Sequence, residues 1–118
     1  MINQFEVPMY LGDAIPEISE KISQDKKNSV YKIMNILIVF MRTNIEIHNF
    51  KAVKRCLKIA DKLYSKGNGL VRNAIENVFV YSFTNIFQAY PAEKKKLLAA
   101  IPITLYSLYI AQLYRRGC

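Results

Sequence analysis

The chain has no tryptophan, one histidine, two cysteines, four glycines and four prolines in 118 residues. Each scarcity removes a class of protein. Cys56 and Cys118 are too few and too far apart for a disulfide framework or a zinc-ligand spacing. His48 has no second histidine and no neighbouring cysteine, so support for a metal site is weak and a general base there would have no evident partner. Glu17 and Glu20 share a helical face but read as a solvated pair, with nothing to mark them as an acid and a base. No catalytic, cofactor-binding or metal-binding residue is therefore nominated, and the chain is expected not to be an enzyme. Few Gly and Pro with 52% hydrophobic residues argue against disorder. The apolar run Ile36 to Met41 is too short to span a bilayer, and Lys32 and Arg42 flank it closely. Met1 to Glu6 shows neither a basic n-region nor a long apolar run. Cys118 does not sit in a prenylation box. The expected compartment is the cytoplasm. Acidic residues are scarce as well: nine against 17 Lys and Arg, for a net charge of +8. That excess favours anionic partners, although solubility of an apolar-rich chain explains it equally.

What the chain does have is helical periodicity. In Phe50 to Lys66, apolar residues fall at Val53, Cys56, Leu57, Ala60, Leu63 and Tyr64, the spacing of one buried stripe. Lys51, Lys54, Arg55, Lys58, Lys62 and Lys66 fall opposite, within an arc of about 120°. Asn49 suits the N-cap, and Gly67 suits a left-handed stop. Gly67 or Gly69 is expected to take positive φ. The return helix starts at Asn68 or Gly69 and turns Leu70, Val71, Ala74, Ile75, Val78, Phe79, Ser82 and Ile86 inward. Gly67-Asn68-Gly69 matches no phosphate-binding fingerprint and reads as a plain turn.

The flanking segments supply the cover that this hairpin needs. Met1 to Gln24 reads as one or two short helices interrupted by Pro8, Gly12 and Pro16, with Ile15, Ile18 and Ile22 inward. Ser23 to Ser29 reads as a polar turn. Val30 to about Ile47 reads as a central helix capped by Asn28 or Ser29; Ile36 to Phe40 also fits a buried strand, but no segment offers it a partner. Pro91 and Glu93 open a further helix, Lys94 to Lys96 form its solvated first turn, and Pro102 kinks or splits it. Leu105, Leu108, Tyr109 and Leu113 then face the core. The expected fold is all-α: a single domain over residues 1–118, about five helices packed as antiparallel hairpins, the last kinked at Pro102.

Ala60 to Tyr64, then Gly67-Asn68, then Asn73 to Phe79 resemble a family of small bacterial helical domains of unknown function, over roughly residues 50–90. Such families often resemble immunity proteins that neutralise a partner toxin, which implies a binding role and no catalytic residue. The candidate partner-binding set is Lys51, Lys54, Arg55, Lys58, Lys62, Lys66 and Arg72. An acidic protein surface is the favoured partner, nucleic acid the alternative, and a homo-oligomer stays open.

Overall fold

The computed structural model describes residues 1–24 and 29–115. The polar turn at Asp25 to Asn28, the cap alternative at Asn28, and Arg116 and Cys118 lie outside the described residues. The chain opens with α1 (Val7–Ala14), then a 3-10 turn (Pro16–Ile18) leading into α2 (Ser19–Gln24). The two long helices are α3 (Val30–Glu46) and α4 (Phe50–Lys66). Helix α5 covers residues 69–89, α6 is Lys94–Ala100 after a 3-10 turn (Pro91–Glu93), and α7 is Ile103–Arg115. The described residues thus form seven helices where the patterning suggests about five. The difference has two causes. Residues 1–24 divide at Ile15, whose φ of −136° and ψ of 80° precede Pro16. Pro102 splits the last segment rather than kinking it: Ile101, forced out of the helical region by the following ring, takes ψ 125°.

Helix α3 is central, as its broad apolar face predicts. It packs on α2, α4 and α5, and buries Ile33, Met34, Leu37, Met41 and Ile45. Ile36 to Phe40 is helix, and the strand alternative falls. Ile15, Ile18 and Ile22 are buried as expected. Ser29 takes the N-cap position of α3 without a side-chain hydrogen bond. Asn49 does cap α4, its Oδ1 accepting from the Ala52 N–H at 3.3 Å.

The α3–α4 joint holds a feature that the sequence reading missed. His48 has φ 59°. Its N–H donates to the Ile45 carbonyl at 3.1 Å, and the Asn49 N–H to the Asn44 carbonyl at 2.8 Å. These two bonds close helix α3 as a Schellman motif with histidine, not glycine, in the left-handed place. The left-handed residue expected at Gly67 or Gly69 is therefore corrected. Gly67 has φ −77° and ψ 155°. The reason is long-range: the Ile2 N–H donates to the Lys66 carbonyl at 2.7 Å and the Asn68 N–H to the Ile2 carbonyl at 2.8 Å. This short parallel pairing draws the chain out straight at the end of α4.

Helix α5 starts at Gly69, with Asn68 Oδ1 accepting from the Val71 N–H at 3.0 Å. It is α-helical only to Ala74; Ile75–Phe79 widens to a π turn and Val80–Ser82 tightens to 3-10 before Phe83–Ala89 resumes. The wide turn moves the buried stripe round. Val80, Phe83 and Phe87 are buried, Val78 and Ser82 are only half-buried, and Leu70 is exposed. Gln112 of α7 donates to the Glu76 carbonyl at 2.6 Å, satisfying an acceptor within the π turn.

Candidate functional site

Seventeen residues of α4 turn one face to the core and one to solvent. Lys51, Lys54, Lys58, Lys62 and Lys66 are exposed, and Arg55 is half-buried at the stripe's edge. The structure divides the stripe. Towards the C-terminal end, cations lie over aromatic rings: Lys62 Nζ is 5.0 Å from the centre of the Tyr10 ring. Arg72, exposed on α5, has its guanidinium carbon 4.7 Å from the centre of the Tyr64 ring and donates to the Tyr64 hydroxyl at 3.4 Å. Such contacts hold a cation's direction without neutralising it. Lys66 borders an open depression with Met1, Glu6 and Tyr10.

Arg55 is different. It pairs bidentately with Glu17, just before α2, through contacts of 3.1 and 2.5 Å. The Arg55 hydrogen bonds hold the Glu17 carboxyl below its ordinary value and raise the arginine in turn. Arg55 is thus engaged within the fold, tying α4 to the N-terminal helices. Lys51, Lys54 and Lys58 have no hydrogen-bonding or ionic partner among the described residues.

A residue outside the predicted set joins them. Lys96 of α6 lines a shallow cleft of about 350 Å³ with Lys54, Phe50, Ala99 and Ala100, and its Nζ is 5.0 Å from the Phe50 ring centre. In sequence, Lys94 to Lys96 looked like a solvated first turn. Nothing local signals that α6 lies beside the start of α4. Asn73 and Asn77 are exposed, and the Asn77 amide reaches Asn73 at 3.5 Å. His48 is exposed and 3.5 Å from Glu93.

Cys56 faces inward, fully buried, and burial pushes its thiol up to about 12. With an ordinary value of 9.0, it holds roughly a thousandth of the usual thiolate at neutral pH. The buried thiol keeps its proton to higher pH than the unfolded chain would. Its contribution to stability is therefore full below 9.0 and is lost as pH rises towards about 12. In a Cys118→Ser variant, iodoacetamide should label the native protein at neutral pH at least about a hundredfold more slowly than the urea-unfolded chain. Equal rates would show Cys56 to be accessible.

A family model described as Domain of unknown function (DUF7674) matches residues 8–115. The chain belongs to this family. The match is consistent with the resemblance to a family of unknown function and reaches beyond the central hairpin, while adding no support for the immunity-protein likeness. No curated protein and no solved structure matches the chain. In this DUF7674 domain the basic face is therefore read from its geometry alone. Both of its parts, α4 and the start of α6, lie inside the matched residues.

Proposed function

We propose that the chain acts by binding rather than by catalysis, and that the open half of the α4 stripe docks an acidic surface of a protein partner. The observation that carries this reading is the set Lys51, Lys54 and Lys58, exposed on one helix face with no ion-pair partner among the described residues. Like charges at helical neighbour spacing repel by a few tenths of a kcal/mol each, so the arrangement works mildly against α4 and for a partner. Lys96 widens the basic field beyond one helix. Arg55 contributes through the Glu17 pair, by fixing α4; Lys62, Lys66 and Arg72 extend the same field at the far end. An acidic toxin is the partner that the immunity likeness suggests.

The test begins with the partner recovered by cross-linking in cells. Lys51→Glu with Lys58→Glu should weaken that complex about tenfold or more, chiefly through slower association, because charge complementarity acts mostly on the on-rate. Circular dichroism should not change, and the melting temperature should stay the same or rise slightly, since both side chains are exposed and repulsion along α4 is relieved. If the double variant binds every recovered partner as tightly as the parent, the stripe is only a solvated face. Nucleic acid remains the second reading, favoured by the same unpaired lysines. It would show log affinity for duplex DNA falling against log salt with a slope of about −0.9 per phosphate contacted.

A further inference from the structure

Helix α7 carries large apolar side chains on its solvent side as well as on its core side. Residues 97–114 contain no charged side chain. Leu105, Tyr109 and Gln112 face the core. At about 100° per residue, Ile103, Tyr106, Ile110 and Tyr114 fall within an arc of about 80° on the opposite side. Ile103 is 81% exposed, Tyr106 39% and Tyr114 78%; Ile110 is half-buried. The outward face thus presents large apolar side chains to solvent, beside Ser107 and Thr104. At the α6–α7 corner it continues into an open depression lined by Leu98, Ala99, Ile101, Ile103 and Tyr106. Ala99 also lines the cleft holding Lys54 and Lys96, so the apolar face and the basic cleft adjoin.

We propose that this corner binds the surface of an anionic lipid bilayer. Ile103 and the outer face of α7 would enter the boundary between headgroups and acyl chains, with Lys54 and Lys96 on the headgroups. Three observations favour lipid over other occupants. The patch is exposed and its depression is open, whereas a protein anchor residue seeks an enclosed pocket. Tyrosine, with an apolar ring and a polar tip, suits the membrane–water boundary. A second copy would bring the same basic rim and a net charge of +8 against its like, while an anionic leaflet complements both. The mode is interfacial: no helix among the described residues is long and apolar enough to cross a membrane, and Pro102 separates α6 from α7. This goes beyond the protein-binding reading: it adds the apolar face of α7 and shares Lys54 and Lys96 with the basic field.

The whole chain would be sedimented with vesicles of phosphatidylcholine alone and of phosphatidylcholine with phosphatidylserine. Binding is expected to the second only. Each lysine near an anionic leaflet contributes about a fivefold gain in partition, so Lys54→Gln with Lys96→Gln should lower it about 25-fold. Ile103→Gln should lower it about tenfold. All three sites are exposed, and unchanged circular dichroism would confirm folding. No sedimentation with phosphatidylserine vesicles at low salt overturns the proposal. So does vesicle binding that Ile103→Gln leaves intact. A dimer on gel filtration that Ile103→Gln dissolves, without vesicle binding, also overturns it and assigns the face to a second copy.

Discussion

Gly67→Ala should destabilise the domain by about 3 kcal/mol, while Gly69→Ala, two residues on, should be neutral or slightly stabilising. A Cβ on Gly67 would lie 2.3 Å from the Leu63 carbonyl oxygen and 2.6 Å from Val71 Cγ1. Neither neighbour has room to move. The carbonyl belongs to the last turn of α4, and Val71 is fully buried at the start of α5. Relief would require shifting the end of α4, and with it the Ile2 pairing on either side of Gly67. A Cβ on Gly69 meets nothing within 4 Å. Thermal melts should separate the two by on the order of 10 °C. Equal melting temperatures would mean that α4 and α5 approach less closely in solution. The glycine is needed for proximity and not for a left-handed backbone.

That distinction marks where sequence reasoning reached its limit. Glycine after a helix has two physical uses, positive φ and close approach, and local sequence does not say which. The answer lies 65 residues upstream, in the backbone of Ile2. His48 is the converse case. Its left-handed turn follows from how α3 and α4 must meet, and the side chain offers only a mild preference for that region. By contrast, the inward residues of α3 and α4 were legible, because long amphipathic helices state their buried face directly.

The site was legible in part for the same reason. Exposure of the lysines on α4 follows from the helical wheel. The pairing of Arg55 with Glu17 and the approach of Lys96 to Lys54 do not, since each joins elements about 40 residues apart. Helix α7 was legible on its inner side only: Leu105 and Tyr109 are buried and Leu108 and Leu113 pack half-buried against the core, while Ile103 and Tyr114 are exposed. Apolar residues on both faces of a helix carry no directional signal.

The π turn gives the second large effect, and it tests the register of α5. An unbroken α-helix from Gly69 would turn Val78 and Ser82 inward. The wide turn at Ile75–Phe79 brings in Val80, Phe83 and Phe87 instead. Phe83 then sits among aromatic rings: its centroid is 5.5 Å from Phe79 edge-on, 6.2 Å from Phe87 and 6.0 Å from Tyr109. Phe83→Ala should cost about 4 kcal/mol, from lost burial, the cavity left behind and three lost ring contacts. Set against a total stability of about 5–15 kcal/mol for a domain, that removes between about a quarter and most of it. Phe83→Leu keeps most of the volume and should cost about 1–2 kcal/mol. The decisive comparison is between the two valines. Val80 is fully buried and Val78 half-buried, so Val80→Ala should cost about 2 kcal/mol and Val78→Ala about half of that. Urea midpoints would measure all four variants. Should Val78→Ala prove the costlier of the pair, α5 runs as an uninterrupted helix in solution, and Gln112 has no widened turn to hold.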